Sequence, residues 1–151
     1  GSLFHFQGHS FAGPYLGASP DGRCAAETFA QGINPQHGRG PFTIAQVANS
    51  LLSMEQERFI GAPWQCELDT SFFRNSPDPG ELLDTISSSY FRQGGMHINF
   101  NIMTTADLED ARIHPERHRD LVVKVTGYSA HFIQLSPEYQ NDIIRRNRIA
   151  N

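Results

Sequence analysis

A chain of 151 residues with 38% hydrophobic and 19% charged side chains can bury one core and is too apolar for a charged disordered tail. Its formal net charge of −4 lacks the basic surplus that phosphate backbones and anionic membranes demand, so no nucleic acid and no membrane partner is expected. Cys24 and Cys66 are too few and too far apart for a metal or iron–sulfur ligand set, so no metal is expected, and a reducing, cytoplasmic setting is the simpler reading.

Residues 1–15 read as possible tag or linker and the start of a loop, with Gly1-Ser2 resembling a cloning scar, and residues 16–151 read as the functional domain. Eight of the thirteen glycines fall by Gly40, and neither a period of 2 nor of 3.6 is sustained there. A loop so poor in charge and rich in Phe, Ala and Gly is expected to pack against other parts of the molecule. Ile44, Val47, Ala48 and Leu51 then share a helical face, which predicts a helix over 43–54. Cys66, Leu68, Thr70 and Phe72 alternate with Gln65, Glu67, Asp69 and Ser71, which predicts a strand with one buried face, broken by 75–79.

Behind Asp78 and Pro79, Leu82, Ile86 and Tyr90 predict an amphipathic helix over 80–92, stopped by Gly94-Gly95. Met96, Ile98, Phe100 and Ile102 alternate with His97, Asn99 and Asn101, the clearest strand pattern in the chain. Thr104 with Asp107 opens a short helix that stops before His114-Pro115. Leu121 to Val125 reads as a buried strand, and Ser136-Pro137-Glu138 opens a terminal helix over 137–147, with Arg145, Arg146 and Arg148 at the negative end of its dipole. The mixture is α/β, or α+β.

Between the last strand and the terminal helix lies Thr126-Gly127-Tyr128-Ser129-Ala130-His131-Phe132. An isolated Gly after a strand is ordinarily a turn residue. Here Lys124-Val125-Thr126-Gly127-Tyr128-Ser129-Ala130 resembles the Arg-Val-x-Gly-Tyr-Ser/Ala signature of the glycyl radical enzymes, the family of pyruvate formate-lyase and glycerol dehydratase. Gly94-Gly95-Met96-His97-Ile98-Asn99-Phe100-Asn101 is similar to the family's Gly-Gly-x-His-x-Gln/Asn-x-Asn strand, and Pro20-Asp21-Gly22-Arg23 to its Pro-Asp-Gly-Arg loop. Gly32-Ile33-Asn34-Pro35 falls where the family has a Gly-x-Ser/Asn-Pro turn, so four motifs stand in family order over about residues 16–148.

That resemblance implies a fold and a chemistry. The fold would be the carboxy-terminal portion of a ten-stranded α/β barrel, with the radical loop between a short strand and the terminal helix. Gly127 would carry a Cα radical, with Lys124, Thr126, Tyr128, Ser129 and His97 as candidate loop support. No cofactor would be bound permanently, because a separate radical-SAM activase using S-adenosylmethionine would install the radical. Glycine suits the role physically: the Cα centre must become coplanar with both flanking peptide groups so that its half-filled orbital conjugates with them, and only a residue without Cβ reaches that geometry unhindered.

The family's catalytic cysteine, commonly Cys-x-Glu, has no match here. Cys66 precedes Glu67 directly, so the two side chains are expected on opposite strand faces, with Cys66 a core residue; Cys24 reads as a small packed thiol. The first expectation is therefore a radical-bearing component of a divided enzyme, partnered by a larger chain that holds the cysteine. The alternatives are a spare part replacing the oxygen-cleaved end of a full-length enzyme, or a non-catalytic interaction domain. Lys124, the chain's one lysine, stands where the family has Arg; His131 is ambiguous, and the remaining arginines are expected on the solvated surface.

Overall fold

The computed structural model describes residues 12–20, 22–36, 42–125 and 128–149. After a 3-10 turn at Gly13–Tyr15 and a long loop come helix α1 (Ile44–Leu52) and strand β1 (Pro63–Leu68). Helix α2 (Pro79–Arg92), strand β2 (His97–Ile102) and helix α3 (Thr105–Ile113) follow, then strands β3 (Val122–Lys124) and β4 (Ser129–His131) and helix α4 (Pro137–Ile149).

Each of the first three helices begins where a side chain caps the free N–H groups. Thr43 and Gln46 form a reciprocal capping box at α1, the Asp78 carboxylate accepts from Gly80 and Glu81 N–H at α2, and the Thr104 hydroxyl accepts from Asp107 N–H at α3. At the end of α2, Gly94 takes φ +95° and a Cβ on Gly95 would lie 2.3 Å from the Tyr90 ring, so the glycine pair serves one turn in two ways.

β1 and β2 pair in parallel from Pro63 opposite His97 to Leu68 opposite Ile102, joined through α2. β3 and β4 form an antiparallel hairpin with Val122 opposite His131 and Lys124 opposite Ser129. Two apolar clusters result. One gathers Leu51, Trp64, Cys66, Leu68 and Tyr90 around β1, with the Trp64 and Tyr90 rings 5.0 Å apart; the other gathers Leu108, Val123, Val125, Phe132, Ile143 and Ile144 between α3, the hairpin and α4.

Three expectations change. The strand expected through Phe72 stops at Leu68, because Asp69 accepts from Ser71 N–H at 2.8 Å and turns the chain into a 3-10 helix over Thr70–Phe73. β1 has no solvated face: all six residues are buried, as befits a parallel strand covered on both sides. In β2, Ile102 is 41% exposed whereas Asn101, on the nominally polar face, is 5% exposed, since its carboxamide is occupied with the neighbouring strand. In addition, β4 and a 3-10 turn at Phe132–Gln134 occupy the stretch before α4 that the sequence presents as loop.

Candidate functional site

The β3–β4 ladder ends where Val125 N–H donates to the Tyr128 carbonyl at 2.9 Å. Thr126 and Gly127, the two residues between them in sequence, lie outside the described residues, as does Asp21 of the Pro-Asp-Gly-Arg loop. On either side, Lys124 is half-buried, Ser129 faces it across the ladder, and Tyr128 is 37% exposed. Among the described residues no hydrogen bond joins His97 to this hairpin: it is exposed at the start of β2, and its Nε2 lies 3.1 Å from Asn99 Oδ1 in its own strand. His131 is half-buried opposite Val122, its Nδ1 without a hydrogen-bond partner.

What grips the hairpin is a group of buried polar side chains from distant elements. Asn101 Nδ2 donates to the Lys124 carbonyl at 3.4 Å, and Asn101 Oδ1 accepts from Lys124 N–H at 3.3 Å. Gln31 Nε2 donates to the Val125 carbonyl, and Gln31 Oε1 accepts from Arg146 Nη1. Arg146 Nη1 also donates to Glu67 Oε1 at 2.8 Å, and its Nε lies 3.2 Å from Asp142 Oδ2, an ion pair not aligned as a hydrogen bond. Burial pushes the Glu67 carboxyl up, opposed by the Arg146 charge and a hydrogen bond from Asn101. Gln31, Glu67, Asn101, Asp142 and Arg146 are all below 10% exposed, and they come from elements of both apolar clusters.

Removing Arg146 or Glu67 would strand the other's buried charge, at a cost of about 3–5 kcal/mol. Chemically the arrangement offers rigidity. Its one guanidinium is paired with both carboxylates, while its amides hold the backbone at Lys124 and Val125, immediately before Thr126 and Gly127.

Beside it, Asn34, Phe42, Trp64, Cys66, Glu67 and Arg146 are among the residues lining a cavity of about 80 Å³. Burial pushes the Cys66 thiol up to about 12, with the Glu67 charge adding to it, so it stays protonated; Cys24 is exposed.

The expectation of solvated arginines fails at two positions. Arg146 is 2% exposed in the network, and Arg23, 5% exposed, donates to the carbonyls of Gly17, Cys24 and Glu27 with Phe29 beneath its guanidinium at 4.9 Å. Gln31, Glu67 and Arg146 carry no local signal of partnership, since they stand 36 to 115 positions apart in pairs such as Gln31 with Arg146. Asn101 did stand in a recognisable motif, but its role appears only once β2 lies beside β3.

Residues 29–133 match the family model described as glycine radical. The chain is 35% identical over 130 residues to the probable dehydratase YbiW of Escherichia coli (strain K12), a match covering 85% of this chain and 16% of that protein. The fold resembles the glycerol-bound form of the B12-independent glycerol dehydratase from Clostridium butyricum, with a TM-score of 0.87 and 31% identity over 95% of this chain and 18% of that one. It also resembles a glycyl radical enzyme from Archaeoglobus fulgidus, with a TM-score of 0.84 and 30% identity over 91% of this chain and 18% of that one. The chain therefore spans less than a fifth of the length of these relatives.

Proposed function

The chain belongs to the glycine radical family, and from that premise we propose that residues 16–151 form a glycyl-radical domain that stores an unpaired electron on the Cα of Gly127. A radical-SAM activase, using S-adenosylmethionine, removes one α-hydrogen atom from Gly127. The remaining centre is stabilised by the electron-donating amide nitrogen on one side and the electron-accepting carbonyl on the other. Lys124, Thr126, Tyr128 and Ser129 support the loop; His97, exposed and bonded within its own strand, is the weakest member of that set.

The observation that carries this reading is the hairpin closed by Val125 and Tyr128, whose incoming strand is gripped at two successive carbonyls by buried amides. Such a grip suits a backbone radical, which must be kept in place and away from solvent. The domain serves as the carboxy-terminal portion of the ten-stranded barrel. A larger chain supplies the remaining strands and a catalytic cysteine. There the glycyl radical takes the thiol hydrogen atom, and the resulting thiyl radical takes one from the substrate. The dehydratase names of the relatives favour carbon–oxygen cleavage among the carbon–heteroatom and carbon–carbon reactions open to such a radical.

The test is electron paramagnetic resonance after anaerobic incubation with the activase, S-adenosylmethionine, a reductant and the partner chain. A doublet from the remaining α-hydrogen is expected, collapsing to a singlet when glycine is α-deuterated and absent in Gly127→Ala. An undiminished signal in Gly127→Ala would sink the assignment. Product formed only with a truncated larger chain supports the divided enzyme, whereas product restored only to an oxygen-cleaved full-length enzyme supports a spare part.

A further inference from the structure

We propose that Gln31, oriented by Arg146 and Glu67, is a positioning residue that fixes the strand delivering Gly127 and thereby governs how long a radical on that glycine survives. The proposal rests on the reading of Gly127 as the radical site and adds to it a residue far from the signature motif.

The orientation of the Gln31 carboxamide is decided by chemistry. Arg146 Nη1 can only donate, so the side-chain atom of Gln31 facing it must be the oxygen, and the amino group is left to face the Val125 carbonyl. Arg146 is itself fixed, by Glu67 Oε1 at 2.8 Å and by Asp142 Oδ2 at 3.2 Å. Glu67 also takes a hydrogen bond from Asn101, whose amide holds the backbone of Lys124. One buried carboxylate thus stands behind both grips: through Asn101 on Lys124, and through Arg146 and Gln31 on Val125.

An antiparallel pair such as β3 and β4 needs no buried ions to form, because its own ladder satisfies the backbone groups. Burying a guanidinium and two carboxylates is expensive, and those charges contribute no affinity for water once buried. The expense secures a fixed location for the end of β3 relative to β1 and α4. For a backbone radical, location decides which atoms and which oxygen molecules can reach it. Charged hydrogen-bonded groups hold that location more narrowly than apolar packing, since they have few alternative geometries.

The deciding variant is Gln31→Glu. It keeps the side-chain size and the acceptor for Arg146 but replaces the donor to Val125 with an oxygen that repels the carbonyl. Tyr90→Phe, which removes the buried Tyr90–Gln56 hydrogen bond in the other cluster, serves as a destabilised control. In Gln31→Glu, amide hydrogen exchange in residues 121–132 is expected to accelerate about tenfold, with β1 amides within about twofold of wild type. The radical half-life after mixing with air, measured at equal spin load, is expected to shorten by a similar factor, whereas Tyr90→Phe leaves both readouts at the wild-type value. Unchanged hairpin exchange overturns the grip, and faster exchange with an unchanged radical half-life overturns its role in protecting the radical. A wild-type chain that shows no radical at all would count against Gly127 itself, and the exchange measurement would still decide whether Gln31 holds the strand.

Discussion

The carboxamide of Asn101 meets the backbone of Lys124 as a neighbouring strand would, donating to its carbonyl at 3.4 Å and accepting from its N–H at 3.3 Å. A side chain thereby extends hydrogen bonding from β2 to β3 across a gap that the two separate sheets leave open. Asn101→Ala should lose about 1–3 kcal/mol of unfolding free energy, because both Lys124 groups lose their partner in a mostly buried place. Asn101→Asp should lose more, since it places a carboxylate beside Glu67 and offers Lys124 no donor. Urea unfolding with an unchanged m-value would check both; equal stability for wild type and Asn101→Ala would remove the bridge from the account.

Gly32 precludes a side chain for two independent reasons. Its φ is +57°, and an added Cβ would lie 2.7 Å from the Pro63 carbonyl oxygen. Gly32→Ala should therefore cost more than about 1 kcal/mol. Because Gln31 is its neighbour, hydrogen exchange at Val125 and Tyr128 should rise as well.

Asp69 provides a pH test. Burial pushes its carboxyl up, but hydrogen bonds from Ser71 and from Thr105 N–H, with the Arg74 charge, bring it below the ordinary carboxylate value. A folded-state pKa below the unfolded value of about 3.9 gives stability that is present above the unfolded pKa and lost as pH falls through the folded one. The stability advantage of wild type over Asp69→Asn should be constant above about pH 5.5 and shrink below about pH 4. An advantage that persists unchanged at pH 3 would mean that the contacts at the start of α3 do not depend on the carboxylate charge.

Those two positions show how unevenly the structure could be read in advance. The helices at Asp78 and Thr104 were legible because a cap and the N–H groups it satisfies lie within three residues of each other, and the helix after Thr43 because Ile44, Val47, Ala48 and Leu51 share one face. The Lys124 to Ala130 motif was equally legible, being contiguous. β1 misled because alternation assumes one solvated face, whereas a parallel strand between packed layers has none. Glu67 looked like the polar member of that alternation, and only the arrival of Arg146 from α4 explains why a carboxylate is tolerated there. No periodicity encodes a partner 79 positions away.

The two cysteines should separate cleanly in solution. Cys24 is exposed, and Cys66 is 3% exposed with its thiol held protonated up to about pH 12. At pH 8, iodoacetamide should label Cys24 in the folded protein and reach Cys66 only after unfolding. Cys24→Ser and Cys66→Ser should both still form the radical, the latter with a stability loss of about 1–3 kcal/mol. A Cys66→Ser chain that forms the radical yet yields no product with the partner present would place the thiyl site on this chain.

Oxygen should cut the activated chain at Gly127 and leave the inactive chain whole. Mass spectrometry under denaturing conditions should find a fragment beginning near Tyr128 only in activated, air-exposed samples. Equal cleavage in both samples would identify ordinary proteolysis.

Such a cut would divide the chain without undoing the fold. The contacts that hold α4 among the described residues come from beyond the break: Ile143 and Ile144 sit in the apolar cluster, Arg146 reaches Glu67 and Gln31, Arg145 reaches Thr28, and Asn147 donates to the Met103 carbonyl and to the Thr105 hydroxyl. The severed tail would stay seated as a non-covalent second piece, so a nicked molecule would have the size and spectrum of an intact one. Its renewal would have to begin by evicting the old tail.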